Sequence, residues 1–292
     1  MHRESSSKCM AEKLASLSGY GPTSSVAQAQ YRLDLVSKWQ IGVGARVLEL
    51  GCGQGDTTLA LADIVGDTGH VDAVDPGPLD YGSPKTLGQA HETISAGPLG
   101  SRITWIQAEP LAFLADSNPA LVYDVAVLAH SLWYFASPAL VLDTLRVVAT
   151  RARRVCIAEW SLSCAEGSAA TTHILAVLTQ GALECRKPAS TSNVRNVVSP
   201  ARIKDLASQA GLILQSEALI TPGARVYDGR WETDHVLQTQ FAEEIEEFVK
   251  DAREKGMIYA MKDAVEASLT RVNGIKGVGS MDGWVAVFER MQ

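Results

Sequence analysis

The hydrophobic pattern switches between two periods along the chain. From residue 46 to residue 225, short apolar runs are separated by longer stretches with apolar positions three or four residues apart. The short runs predict strands buried on both faces, as in a parallel sheet, and the longer stretches predict helices. Their alternation favours an α/β fold with an open, doubly wound, mostly parallel sheet. The predicted strands lie within 46–50, 69–75, 103–110, 123–134, 154–160, 212–219 and 281–288.

Three of the predicted helices share a start signal. Serine followed by proline occurs at Ser83-Pro84, Ser137-Pro138 and Ser199-Pro200. Serine is a favoured N-cap residue, and proline fits the first helical position because that position needs no hydrogen-bond donor. We therefore predict that helices begin at these sites, after the second, fourth and fifth strands. Gly211 is expected to end the third of them.

Helical patterns also flank this core. Residues 24–39 predict an amphipathic helix, and the stretch 161–198 contains an apolar helix around 174–183. Residues 226–280 predict two amphipathic helices separated at Gly256, which cover either the substrate as a lid or another copy of the chain. The expected organisation is an N-terminal helical cap (1–40), a ligand-binding core (41–225), a helical insert or lid (226–280) and a last core strand (281–292).

Composition narrows the function classes. The 292 residues carry a net charge of −7, which argues against a nucleic-acid partner because phosphate backbones favour basic surfaces. Five cysteines without metal-ligand spacing suit a reducing compartment. No signal peptide or membrane-length apolar run is visible. We therefore expect a cytoplasmic protein, a monomer or homodimer, without a membrane or nucleic-acid partner.

A glycine loop follows the first predicted strand. Gly51, Gly53 and Gly55 have the spacing G-x-G-x-G, and Glu49 lies two residues before the first of them. Glycine allows positive φ angles and a close approach of a ligand to the main chain. A dinucleotide fingerprint would require a glycine at position 56, where Asp56 stands. The loop therefore predicts a nucleotide-like ligand, and further residues must identify it.

Three later segments help to identify the ligand of the glycine loop. The second strand ends at Asp75, about twenty residues past the loop, where an acid can accept hydrogen bonds from two ribose hydroxyls. The third strand ends at Ala108-Glu109, where a carboxylate can accept the amino group of adenine. The fourth begins with Asp124 and ends in the sequence His-Ser-Leu-Trp-Tyr at 130–134.

Together, these four segments resemble those of the class I S-adenosylmethionine-dependent methyltransferases. The resemblance covers about residues 40–225 and the last ten residues. It differs in Glu109, where the family usually has Asp, and in the Pro76-Gly77-Pro78 kink. It implies S-adenosyl-L-methionine as the cofactor and a seven-stranded sheet whose last strand runs antiparallel between the fifth and sixth. The cofactor-binding residues it suggests are Tyr20, Glu49, Gly51, Cys52, Gly53, Asp75, Pro76, Ala108, Glu109 and His130.

The resemblance also implies the chemistry. The sulfonium makes its methyl group electrophilic, so the enzyme must align a nucleophile and accept any proton that it loses. His130 is the best-placed general base because its ordinary pKa lies near neutrality, but the pattern favours the alternative that it only lines the cofactor pocket. Tyr134 is the second candidate catalytic residue. Asp228, Asp234 and His235 have no specific metal spacing, so no metal is expected.

The absence of basic surfaces or an added recognition domain favours a small organic acceptor. One alternative keeps the fold and the cofactor but catalyses a rearrangement or decarboxylation without methyl transfer. A nicotinamide-dependent oxidoreductase is disfavoured by Asp56, by Glu109 and by the aromatic residues after the fourth strand. A binding protein with a relic pocket is less favoured because all four segments are intact.

Overall fold

The computed structural model describes residues 2–18, 24–117, 122–165, 167–190 and 192–291. Its strands are β1 (Arg46–Leu50), β2 (His70–Asp75), β3 (Ile103–Gln107), β4 (Tyr123–Ala129), β5 (Ala152–Trp160), β6 (Leu212–Ile220) and β7 (Gly283–Arg290). Its helices are α1 (His2–Ser18), α2 (Ser24–Trp39), α3 (Asp56–Val65), α4 (Leu87–Ser95), α5 (Pro110–Asp116), α6 (Pro138–Arg151), α7 (Thr171–Glu184), α8 (Pro200–Gln209), α9 (Asp228–Leu237), α10 (Thr239–Phe248) and α11 (Ala252–Leu269).

The seven strands form one sheet with the order β3-β2-β1-β4-β5-β7-β6. The first five strands are parallel, whereas β7 pairs antiparallel with both β5 and β6. This confirms the predicted fold class and the predicted place of the last strand. The strand order reverses beside β1, where β2 and β4 lie on opposite sides. Open α/β sheets bind their ligands at the carboxyl ends of the strands next to such a reversal.

Two of the three predicted helix starts are correct. The Ser137 side chain accepts a hydrogen bond from the Leu140 N–H, and the Ser199 side chain accepts one from the Arg202 N–H. The prediction at Ser83 is wrong, because α4 begins three residues later with Thr86 as its N-cap. Thr86 and Gln89 form a reciprocal capping box, which satisfies two backbone donors at once.

The predicted helix break at Gly256 is also wrong, because α11 continues through that residue. Its start is fixed by Asp251, whose carboxylate accepts hydrogen bonds from the N–H groups of Arg253 and Glu254. Glycine inside a helix costs only about 1 kcal/mol relative to alanine. The burial of Ile258 and Val265 on the inner face of α11 is sufficient to offset that cost.

Helices α7, α9, α10 and α11 pack together around a second apolar core, separate from the core of the sheet. This lid core consists of Ala176, Leu183, Val236, Phe241, Ile245, Val249, Ile258 and Val265. A hydrogen bond from Ser268 to Thr172 and an ion pair between Lys187 and Glu244 link α7 to the helices that follow β6. Among the described residues, no helix has the length and apolar character needed to cross a bilayer.

Candidate active site

The glycine loop joins the carboxyl end of β1 to α3. The N–H groups of Gly51 and Cys52 both donate to the Val74 carbonyl, at 2.8 and 3.3 Å, which attaches the loop to β2. Gly51 has a φ of +82°, and a Cβ added there would lie 2.4 Å from the Cβ of Ser131. A Cβ on Gly53 would meet no described atom within 4 Å, so the backbone at Gly53 borders open space. Close packing therefore requires glycine at 51, while Gly53 leaves its peptide accessible to a ligand.

Asp75 lies at the end of β2, directly beside this loop. Its Oδ2 accepts a hydrogen bond from the Gly53 N–H and its Oδ1 accepts one from the Gly77 N–H, both at 2.8 Å. A carboxylate has about four acceptor positions, so two remain after these bonds. The Ala108 N–H donates to the Asp75 carbonyl at 3.1 Å, which places Ala108 and the exposed Glu109 next to Asp75.

Glu49 is buried beneath the loop, with 1% of its surface exposed. Its Oε2 accepts a hydrogen bond of 2.6 Å from the Thr58 hydroxyl on α3. Burial raises the pKa of the Glu49 carboxyl to about 8, because the charged form loses its hydration. Glu49 therefore ties β1 to α3, and its burial favours the protonated form.

Arg32 on α2 is a site residue that sequence analysis missed. Its Nε and Nη1 atoms are buried and have no hydrogen-bond partner among the described residues. The Arg32 charge acts on the pKa values of Glu49, Asp56, His130 and Glu159, so the guanidinium lies near these four side chains. The only available sequence signal was a cationic residue within the amphipathic helix predicted to cover the ligand.

His130 follows β4 in a left-handed backbone conformation with a φ of +52°. Its Nε2 lies 2.9 Å from the Tyr31 hydroxyl, and its Nδ1 lies 3.4 Å from Glu159 Oε1. Burial lowers the pKa of His130 to about 3, with a smaller contribution from the Arg32 charge. Non-glycine residues rarely adopt such a φ, and where they do, the strain often marks a functional site.

Glu159 is the last but one residue of β5 and completes this group. Burial raises its pKa to about 8, although the N–H groups of Trp160 and Leu132 donate to its two oxygens. The Trp160 ring stacks on Tyr31 at 5.7 Å and contacts His130 at 4.3 Å. The Tyr31–His130–Glu159 group is therefore a set of neutral, buried polar side chains beside an aromatic surface.

Tyr134 lies in a short turn after β4 and is 48% exposed. Burial of the phenol raises its pKa, and the charges of Glu232, Asp228 and Glu159 raise it further. Glu232 and Asp228 belong to α9, so this helix lies near Tyr134.

The predicted residues fall into two neighbouring groups. Those around the glycine loop are Glu49, Gly51, Cys52, Gly53, Asp75, Pro76, Ala108 and Glu109; His130 and Tyr134 lie after β4. Tyr20 lies outside the described residues. The described residues include no group of His, Cys, Asp and Glu side chains that could hold a metal ion.

The polar atoms left unpaired here fit S-adenosylmethionine. Arg32 has two unpaired donors that suit a carboxylate, such as that of the methionyl group. The Ser131 hydroxyl, beside Gly51, is also buried without a partner among the described residues. Asp75 retains acceptor capacity for ribose hydroxyls. These features lie along one path from the end of β2, across the glycine loop, to the end of β4.

Comparison with known proteins gives the same assignment. The chain is 29% identical over 284 residues to two methyltransferases of Diaporthe leptostromiformis, phomM' and phomM, covering 84% of this chain and 73% of each of them. Its structure matches a cyclopropane-fatty-acyl-phospholipid synthase-like protein from Lactobacillus casei ATCC 334 with a TM-score of 0.79 and 28% identity, covering 97% of this chain and 99% of that one.

A more distant likeness, to the [4+2]-cyclase SpnF, has a TM-score of 0.52 and 14% identity over 92% of this chain and 83% of that chain, and it concerns the fold alone. No family model matches the chain. The sheet order, the glycine loop and the two methyltransferase relatives agree, and none of them favours the nicotinamide alternative. The chain is accordingly a methyltransferase with the class I S-adenosylmethionine-dependent fold.

Proposed function

We propose that the protein transfers the methyl group of S-adenosylmethionine to a small organic acceptor bound between the ends of β4 and β5 and the lid helices. The observation that carries this proposal is Arg32, whose Nε and Nη1 atoms are buried without a hydrogen-bond partner among the described residues and whose charge acts on the pKa values of Glu49 and His130. When bound, the cofactor supplies an electrophilic methyl group on a sulfonium. The protein then has to bind the cofactor at both ends, exclude water and position the acceptor.

The adenosine end is assigned to the ends of β2 and β3. The free acceptor positions of Asp75 would bind the ribose hydroxyls, and Pro76, Ala108 and Glu109 would surround the adenine. The backbone of Gly51, Cys52 and Gly53 would lie along the middle of the cofactor. Glu49 would act indirectly, since its carboxyl is buried and bonded to Thr58.

The methionyl end is assigned to Arg32. A guanidinium pairs with a carboxylate through two parallel N–H···O bonds, and charge-assisted bonds of this kind are stronger than neutral ones. The acids near Arg32 include Glu49, Asp56 and Glu159, and burial raises the pKa of each of them. Burial therefore favours their protonated forms and weakens their pairing with Arg32, which favours binding of an anionic group there.

We assign His130 a positioning role. An imidazole ring with a pKa of about 3 is a weak base. Its Nε2 faces the Tyr31 hydroxyl, and its Nδ1 faces Glu159. His130 therefore orients the Tyr31 hydroxyl and forms part of the wall of the cleft. Tyr134 is the proposed acceptor-binding residue, because it is half exposed and its phenol can donate a hydrogen bond. The negative charge of Asp228 near Tyr134 disfavours an anionic acceptor.

The cellular compartment, oligomeric state and partners that we propose follow from the sequence. The net charge of −7 and the five free cysteines support a cytoplasmic protein, a monomer or homodimer, that acts without a nucleic-acid partner. The proposed organisation keeps the helical cap at 1–40, the core at 41–225, the lid at 226–280 and the last strand at 281–292. The lid core also contains residues of α7, which supports including α7 in the lid.

Incubation of the purified protein with methyl-labelled S-adenosylmethionine and panels of amines, phenols and unsaturated acyl compounds tests this function. We expect label in an organic product and stoichiometric S-adenosylhomocysteine. Conversion of an acceptor without transfer of label, with the cofactor recovered unchanged, would instead establish the non-methylating alternative of the same fold.

A further inference from the structure

His91 on α4 contacts the glycine loop directly. Its Nε2 lies 2.8 Å from the Gly53 carbonyl oxygen. A carbonyl oxygen only accepts hydrogen bonds, so the His91 Nε2–H is the donor. The imidazole also stacks on the Trp105 indole of β3, with ring centroids 3.8 Å apart and planes inclined by 10°. Trp105 in turn lies against the loop, because a Cβ on Gly55 would be 2.6 Å from its ring.

Both backbone polar groups of Gly53 are therefore hydrogen-bonded. Its N–H donates to Asp75 Oδ2 and its carbonyl accepts from His91, each at 2.8 Å. Gly53 has a φ of +50°, a conformation available mainly to glycine. The next residue, Gln54, donates from Nε2 to the Lys85 carbonyl at 2.6 Å, which attaches the loop to the segment before α4. Three contacts thus fix a short stretch that has no regular secondary structure.

This arrangement matters for binding because glycine has more backbone freedom to lose than any other residue. A loop that orders only when a ligand arrives subtracts that entropy from the affinity, whereas an ordered loop does not. Asp75 is common to the loop contacts and to the proposed ribose site. The Gly53 N–H belongs to the peptide before this residue and its carbonyl to the peptide after it, so the two bonds together fix the backbone on both sides of Gly53. A change in the backbone angles of Gly53 would move its N–H away from Asp75 and free the carboxylate to turn away from the ribose.

We propose that His91 is a positioning residue for the cofactor: by fixing the Gly53 peptide, it holds the glycine loop and the Asp75 carboxylate in the orientation that binds S-adenosylmethionine. The inference rests on the proposed cofactor site and adds a residue on α4, which none of the four sequence segments includes. It concerns the hydrogen bond of the imidazole, and its stacking on Trp105 is a separate contribution.

Two substitutions separate these contributions. His91→Phe keeps an aromatic ring for Trp105 and removes the donor, whereas His91→Gln keeps an N–H donor and removes the ring. His70→Phe is the matched control. His70 lies at the start of β2, at the opposite end of the strand from Asp75, and its ring bonds to Thr104. Each protein is titrated with S-adenosylhomocysteine in a calorimeter at pH 7, and its folding is checked by thermal denaturation.

We expect His91→Phe to weaken S-adenosylhomocysteine binding about threefold to tenfold, the effect of one neutral hydrogen bond, and His91→Gln to restore most of it. The control should bind like the wild-type protein. Unchanged affinity in His91→Phe, or an equal loss in both His91 variants, would overturn the inference while leaving the cofactor site intact. Absence of binding by the wild-type protein would overturn the proposed function, and this inference with it.

Discussion

Asp75 and Asp72 lie three residues apart on β2, but their carboxylates have different surroundings. Asp75 bonds to the glycine loop at the carboxyl end of the strand. Asp72 is buried and accepts hydrogen bonds from the Tyr123 hydroxyl at 2.8 Å and from the Arg46 guanidinium at 3.0 Å. Asp75 therefore keeps acceptor positions for a ligand, whereas the carboxylate of Asp72 is used in hydrogen bonds within the protein.

Substitution of these two acids should therefore separate binding from stability. Asp75→Ala removes charge-assisted bonds worth about 1.5–3 kcal/mol and should weaken S-adenosylhomocysteine binding on the order of tenfold to a hundredfold. Asp72→Ala should lower the free energy of unfolding and leave the affinity within about twofold of wild type, since it leaves Tyr123 and Arg46 unpaired. Calorimetry and urea denaturation measure the two effects. A larger loss of affinity in Asp72→Ala would show that the wrong acid has been assigned to the ribose.

Glu49 gives a prediction about pH. Its pKa rises from 4.5 in the unfolded chain to about 8 in the folded protein, so the folded state binds the proton more tightly. The resulting stabilisation is complete below pH 4.5 and is lost as the pH rises towards 8. The pKa of His130 is lowered from 6.5 to about 3, so its effect is confined to lower pH.

Between pH 6.5 and 8, the free energy of unfolding should consequently fall, by up to about 1.4 kcal/mol per pH unit for each such carboxyl. Glu49→Gln keeps an acceptor for Thr58 and removes the titration, so its stability should fall less steeply over this range. Urea denaturation at several pH values provides the measurement. An identical pH dependence in the two proteins would show that Glu49 is ionised in the folded state.

The sequence pointed to the acidic and glycine residues of the site but not to Arg32. Gly51, Gly53 and Asp75 follow from local rules, since a strand, a glycine loop and a strand end appear in the sequence at fixed offsets. Arg32 and His91 reach the loop only through the packing of α2 and α4 on the sheet. No local pattern distinguishes them from surface residues of amphipathic helices.

At the scale of single elements, the segment before α4 contains two competing sequence signals for a helix start. Ser83-Pro84 and Thr86-Leu87-Gly88-Gln89 both carry start signals, and the second forms the helix. The capping box wins because it satisfies two backbone donors, while a serine cap satisfies one. The reciprocal spacing from Thr86 to Gln89 was present in the sequence, so this boundary was predictable.

This difference between the two start signals can be tested. Thr86→Ala removes the side-chain acceptor for the Gln89 N–H and should cost about 0.5–2 kcal/mol of unfolding free energy. Ser83→Ala, three residues earlier, lies outside the helix and should change stability by less than about 0.5 kcal/mol. Urea denaturation of both variants makes the comparison. Equal losses would mean that the segment before α4 contributes to the cap.

At the scale of the whole molecule, the strand order was predictable, whereas the packing of the outer helices on one another was not. The alternation of strands and helices and the family resemblance together gave the seven-stranded sheet. The insert was expected to cover the substrate or another copy of the chain, and its apolar side chains share the lid core with α7, which follows β5. Contacts between segments so far apart in sequence depend on tertiary packing, which periodicity does not report.

The proposed lid leads to a prediction for Phe241, which is 2% exposed and lies in the lid core. Phe241→Ala should lower the unfolding free energy by about 3–5 kcal/mol through the cavity it creates. It should reduce turnover of an identified acceptor but leave S-adenosylhomocysteine affinity within about twofold, because the glycine loop belongs to the sheet. Leu178→Ala, at a partly exposed site on α7, is the control. A loss of affinity as large as in Asp75→Ala would place the lid in the cofactor site.

The proposed cofactor site lies between α2 and the glycine loop, with Arg32 at the carboxylate of the methionyl group of S-adenosylmethionine. Calorimetric titration of wild type and Arg32→Met with S-adenosylhomocysteine and with 5′-methylthioadenosine, which lacks the amino-acid group, tests it most directly. Arg32→Met should weaken the first ligand on the order of tenfold to a hundredfold, the effect of a charge-assisted pair, and the second by no more than about twofold. Equal losses for the two ligands, or no binding of either by the wild-type protein, would contradict the account.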